Sequence, residues 1–77
     1  MKNLNYRIRL EKEEEGGYTV IVPALAGCIT FGETVDEAIE MAKEAIEGYI
    51  ETLMELGKDI PTDNEVLEYT VSVEAHA

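Results

Sequence analysis

The residues of this sequence that could do chemistry are a run of carboxylates, one thiol, one imidazole and two closely spaced arginines. Between positions 35 and 56 stand Asp36, Glu37, Glu40, Glu44, Glu47, Glu51 and Glu55, against one base, Lys43. A metal site needs carboxylates converging in a cavity with a fixed coordination number. Spacings of three and four spread these along one convex helical face, which reads first as a solvated surface. The pairs 36/40, 40/44, 47/51 and 51/55 repel by roughly a few tenths of a kcal/mol each. Glu51 and Glu55 also oppose the helix dipole. A helix that carries this cost is a candidate docking face for a basic partner, with Glu40, Glu44, Glu47 and Glu51 at its centre.

The other groups offer less. Cys28 would need a nearby base or cation to become a nucleophile, and the only histidine is His76, one residue from the C-terminus. Cys28 therefore reads as a small buried hydrophobe and His76 as a tail residue. Arg7 and Arg9 occupy outward positions of a strand, within reach of Glu11, Thr19, Glu68 and Ser72. They suit a cross-strand charge pair or an oligomer contact. The sequence holds no glycine-rich phosphate loop, Cys/His metal spacing or Ser-His-Asp set, so neither an enzyme nor a cofactor or metal site is expected.

Composition narrows the partners. Six Lys+Arg against seventeen Asp+Glu give a net charge of −11. Phosphate binding needs a basic face, and so does an anionic membrane surface. A basic partner, or none, fits better. The 77 residues, 45% hydrophobic, are enough for one modest core and a single domain, residues 1–77. A lone cysteine excludes an internal disulfide. With neither an apolar leader nor a membrane-length apolar run, the expected location is the cytoplasm.

The positioning elements follow from periodicity. Leu4, Tyr6, Ile8 and Leu10 alternate with Asn5, Arg7 and Arg9, as a half-buried strand requires. Glu13-Glu14-Glu15-Gly16-Gly17 suits a hairpin turn. Residues 18–22 form a second strand ended by Pro23, 24–27 a connection, and 28–32 a short third strand. Thr34-Val35-Asp36-Glu37 predicts a capping box. Val35, Ala38, Ile39, Ala42, Ile46, Tyr49, Ile50 and Leu53 then form one apolar stripe, until Gly57 stops the helix and Pro61 forbids resumption. Leu67, Tyr69, Val71 and Val73 alternate with Glu68, Thr70, Ser72 and Glu74 as a fourth strand. The expected fold is α+β, in the order β-β-β-α-β. It has one mixed four-stranded sheet, order 3-2-1-4, covered on one face by the helix.

The segment Pro23-Ala24-Leu25-Ala26-Gly27-Cys28-Ile29-Thr30-Phe31-Gly32-Glu33-Thr34-Val35-Asp36-Glu37-Ala38, continued by Ala42-Lys43-Glu44-Ala45-Ile46 and the Gly57-x-x-Ile60-Pro61 exit, resembles the HicB-like family. The resemblance implies a partial RNase H-like fold and antitoxin function: binding and neutralising a small basic RNA-cleaving toxin of the HicA-like type. Complementary charge would steer that encounter. Ala24 and Ala26 stand where the family often has Asp and Pro, and Met41 where Asn is frequent. Many family members also carry a C-terminal DNA-binding domain. This sequence stops soon after its fourth strand, so direct DNA binding is not expected. The outward residues Asn5, Arg7, Arg9 and Glu11 supply no carboxylate pair for a two-metal nuclease.

Two functional readings remain. One is a stand-alone antitoxin-like binding module. The other is a solitary oligomeric domain of the same fold, acting as scaffold or small-ligand binder without a toxin. A homodimer is expected in either case, because a one-helix sheet leaves an open face and free edges. If Cys28 and Thr30 face the helix, then Ile21, Ile29 and Phe31 form an exposed apolar patch. If Ile29 and Phe31 face inward, the patch shrinks.

Overall fold

The computed structural model describes residues 4–75. His76 lies outside them. Strand β1 spans Arg9–Lys12, β2 Tyr18–Ile21 and β3 Ile29–Gly32, followed by helix α1 over Val35–Glu55 and a 3-10 turn over Asp63–Glu65. The three strands form an antiparallel sheet in the order β1-β2-β3. The alternation from Leu4 is present, but only its last part is paired as strand.

The register fixes which residues face the helix. Leu10 lies opposite Val20, and Val20 opposite Thr30. Val20 packs on Ala38 and Ala42 with Ile8, Leu10 and Tyr18 around them. A second cluster joins Val22, Leu25 and Cys28 to Ala45, Ile46 and Tyr49. Arg9, Ile21 and Ile29 are cross-strand neighbours on the other face, as are Glu11, Thr19 and Phe31. Cys28 and Thr30 thus face the helix, while Ile29 and Phe31 face out.

Local signals explain the helix. Thr34 is its N-cap, and the Thr34 hydroxyl accepts from the Glu37 amide at 3.1 Å. The reciprocal half of the expected box is displaced by one residue: the Glu37 carboxylate accepts from the Glu33 amide at 3.3 Å, not from Thr34. At the other end Gly57 adopts φ +68°. Its N–H donates to Met54 and that of Lys58 to Leu53, a Schellman closure that needs a left-handed residue. The apolar stripe is buried only in part. Ala38 and Ala42 are sealed, whereas Val35 and Ile39 are exposed, because α1 rests mainly on β3 and less on β2.

The expected fourth strand is corrected. No strand follows α1 among the described residues, so the order 3-2-1-4 becomes a three-stranded sheet. Leu67, Tyr69, Val71 and Val73 are 73–85% exposed. The physical reason lies just before them. The 3-10 turn is gripped by Arg7, and the chain then runs out from the body without reaching the edge of β1. A strand pattern specifies faces, but only a neighbouring edge makes it a strand.

Candidate functional site

The acidic helix face is placed as its spacing requires. Glu40, Glu44, Glu47 and Glu51 are all exposed on α1, and no basic residue stands in its last turn. Lys43 reaches Glu40 at 3.4 Å across open solvent, a pair worth little. The other three have no cation within salt-bridge distance among the described residues. The result is a ridge of like charge along a rigid element.

The apolar patch lies on the opposite side of the molecule. Ile29 is 61% and Phe31 42% exposed, with Ile21 half-buried beside them. The Phe31 ring lies over Gly17, where a β-carbon would collide with it, so the hairpin turn supports it. Glu13, Glu14, Glu15 and Glu33 rim a shallow concavity at Phe31. The sheet places this patch and the helix ridge on opposite faces, so they are two surfaces and not one site.

Arg7 and Arg9, paired in the sequence reading, have different roles. Among the described residues Arg9 reaches only Glu11 of its own strand, at 3.3 Å. Arg7 holds the segment beyond the helix. Its Nε donates to Asp63 at 2.6 Å, Nη1 to Glu68 at 3.2 Å, and Nη2 to the carbonyls of Asp63 and Val66. The Arg7 backbone N–H donates to the same Asp63 carboxylate at 3.2 Å. The Tyr6 hydroxyl donates to the Pro61 carbonyl at 2.6 Å. Of this strap, the sequence disclosed only the reach from Arg7 to Glu68. Asp63 was hidden in a polar link, where nothing local distinguishes a gripped carboxylate from a solvated one.

The strap has a pH consequence. The Arg7 side-chain hydrogen bond holds Asp63 below the usual aspartate range, with the Arg7 amide and charge acting the same way against partial burial. A carboxyl depressed in the folded chain adds stability that is complete above its unfolded pKa and lost as pH falls through the folded one. The melting temperature of the wild type should therefore exceed that of Asp63→Asn by a margin that is full at neutral pH. That margin should shrink steadily through the acid range. Melts of both chains from neutral to acid pH check this; a constant margin would mean that shape, not charge, holds the strap.

Cys28 is buried between Val22 and Leu25, and burial pushes its thiol pKa up. That is the reverse of what a nucleophile needs. Among the described residues no group of three or more His, Cys, Asp and Glu side chains could hold a metal ion. Among the described residues no helix is long and apolar enough to cross a membrane.

One region was missed. Leu25, in what read as a plain connection, is fully buried. The loop turns it inward through three backbone bonds: Leu25 N–H to Val22, Cys28 N–H to Leu25 and Val22 N–H to Cys28. The Tyr49 hydroxyl donates to the Ala26 carbonyl at 2.7 Å and ties the loop to α1. Beside it runs a shallow groove lined by Cys28, Ile29, Gly48, Tyr49, Thr52 and Leu53, among others. The signal was present as an apolar residue three positions from both Val22 and Cys28, without a regular element to give it a period.

The model of a family described as HicB_like antitoxin of bacterial toxin-antitoxin system matches residues 6–76. The chain belongs to this family. A UPF0150 protein of Thermoplasma acidophilum is 48% identical over 61 residues, which cover 79% of this chain and 88% of that protein. Antitoxin HicB 1 of Photorhabdus laumondii is 38% identical over 73 residues, covering 95% of this chain but 47% of that antitoxin. The crystal structure of the Burkholderia pseudomallei antitoxin HicB is similar at a TM-score of 0.65 and 40% identity, over 88% of this chain and 46% of that one. This chain thus spans most of the UPF0150 relative and about half of these two HicB antitoxins. The HicB-like alignment takes in the loop, the helix and the segment held by Arg7.

Proposed function

We propose that this chain is the toxin-binding module of a toxin-antitoxin pair, acting in the cytoplasm by covering a small basic RNA-cleaving toxin of the HicA-like type. The observation that carries the reading is the unneutralised ridge of Glu44, Glu47 and Glu51 on α1, in a chain of net charge −11. Such a surface raises the rate at which a basic partner arrives and sets its orientation. The chain does no chemistry in this reading: it excludes substrate by occupying the toxin's own RNA-binding face. A partial RNase H-like arrangement and homo-oligomerisation belong to the same proposal.

Titration of a candidate basic toxin against the full chain tests it. Binding should weaken on the order of tenfold to a hundredfold between low and high salt, mainly through a slower association rate. Glu44→Lys with Glu47→Lys should produce a comparable loss at low salt and flatten the salt dependence. Binding that ignores both changes would take the helix out of the interface. The second reading, an oligomeric scaffold without a toxin, is favoured by one observation, the exposed Ile29 and Phe31 on the open sheet. Co-purification from the native host separates the two: a basic partner supports the first, copies of the chain alone the second.

A further inference from the structure

β3 is an edge strand that the sequence leaves unguarded. It pairs with β2 on one side only, in an unbroken register from Ile29 to Gly32. The Val22 N–H donates to the Cys28 carbonyl, and bonded and unbonded pairs alternate along an antiparallel ladder. Val20 with Thr30 and Tyr18 with Gly32 are therefore the bonded pairs. Ile29 and Phe31 stand in the others, with their N–H and C=O groups directed away from β2. Neither makes another backbone bond among the described residues. Native edges are commonly blunted by lysine, proline or a bulge. β3 has none of these, whereas β1 carries Arg9 and Lys12.

Both sides of this edge can receive side chains from an added strand. On the helix side a groove runs between Cys28 and Ile29 and the α1 residues Gly48, Tyr49, Thr52 and Leu53. A glycine inside a helix lowers its stability relative to alanine, and a β-carbon at Gly48 would meet nothing within 4 Å. The chain's own packing gives no reason for Gly48; a second backbone lying close against the helix does. On the other side Ile29 and Phe31 are exposed on the open sheet. A strand laid along β3 would place alternate side chains on these two surfaces.

Charge selects the guest. The run from Glu13 to Ala42 builds β2, β3 and the start of α1, and it holds seven carboxylates and no Lys, Arg or His. Glu13, Glu14, Glu15 and Glu33 gather at Phe31. They repel an acidic segment, and a second copy of a chain of net charge −11 brings more of the same sign. We infer that the β3 edge accepts an extended basic segment of a different protein by strand addition. The guest backbone bonds to Ile29 and Phe31. Small or apolar side chains of one parity enter the groove beside Gly48. Arginine or lysine of the other parity lies over the Phe31 ring among its carboxylates, where both the ring face and the charges favour a cation. The contact does not require the Glu44, Glu47 and Glu51 ridge.

The test is a nuclear magnetic resonance titration of the full chain with a short peptide of alternating valine and arginine, capped at both ends. Amide hydrogen exchange is read at Ile29 and Phe31. The expected result is saturable binding that slows exchange at these two amides on the order of tenfold or more. A peptide of alternating valine and glutamate should not bind. Ile29→Pro removes an outward N–H and no bond to β2, and should weaken binding on the order of tenfold. Gly48→Met keeps a good helix former at that position and fills the groove, so it should melt higher than the wild type and yet bind more weakly. No binding, binding without protection of Ile29 and Phe31, or equal binding of the glutamate peptide would each overturn the inference. So would a folded Gly48→Met chain that binds as the wild type does. Protection of these amides that rises with protein concentration in the absence of peptide would overturn it in favour of a second copy.

Discussion

Gly32→Ala is expected to remove a large part of the stability of this fold. A β-carbon at Gly32 would press against the backbone nitrogen and Cα of Ala38 and the carbonyl carbon of Glu37. Gly32 is itself buried, at the end of β3, where the first turn of α1 crosses it. The requirement is for space and not for a left-handed backbone. Overpacking a core costs about 1–3 kcal/mol when side chains can yield; here the opposing atoms are backbone, so the upper end applies. A domain of this size holds about 4–12 kcal/mol in total. A loss of about 3 kcal/mol corresponds to a melting point roughly 12–24 °C lower. Ala38→Gly should not rescue it, because the clash is with main chain. Gly48→Ala is the control: it lies within α1 with open space around it, and should raise stability by about 0.5–1 kcal/mol. Thermal melts of the three variants and the double mutant decide the point. A Gly32→Ala chain that melts like the wild type would mean that β3 and α1 can separate freely.

The same contact shows what the sequence can and cannot disclose. The helix was legible because its signals are local: a capping threonine, a three-four apolar spacing and a glycine stop each act within a turn or two. The hairpin and the three strands were legible for the same reason, and the register then placed Ile29 and Phe31 outward, which alternation alone had left open. Gly32 read only as the end of a strand, since its close approach to Ala38 joins two elements. Asp63 was missed for a related reason: its partner Arg7 is fifty-six positions away. The tail marks the limit most clearly. Its alternation is as regular as that of the first strand, yet pairing depends on where a neighbouring edge lies, and no pattern within residues 67–73 carries that information. Glu40, Glu44, Glu47 and Glu51 lie exposed on α1, because charge spacing on a helix maps directly onto one side of it. What binds there depends on a partner's surface, and that the sequence does not contain.

Leu25→Ala is the second large effect. Leu25 is 1% exposed and belongs to a loop, not to a strand or helix. Its side chain fills the space between Val22, Cys28 and the α1 residues Ala45, Ile46 and Tyr49. Truncating such a residue costs about 2–5 kcal/mol, more where the surroundings cannot collapse. Collapse is hindered here because the loop is pinned at both sides by its backbone bonds and by the Tyr49 hydroxyl on Ala26. Denaturant unfolding should show a lower midpoint with an unchanged slope, the signature of lost stability in an otherwise similar native state. Leu56→Ala, at a position 62% exposed, should leave the midpoint nearly unchanged. Cys28 gives an independent readout at the same place, because it is 6% exposed in the folded chain and burial pushes its thiol pKa up. A thiol reagent should label the wild type slowly, and Leu25→Ala on the order of tenfold or more faster, since the open-state population follows the lost free energy. Equal labelling rates with a lowered midpoint would separate the loop's packing from the protection of Cys28. An unchanged midpoint would show that the loop is held by its hydrogen bonds alone, with Leu25 contributing little to the core.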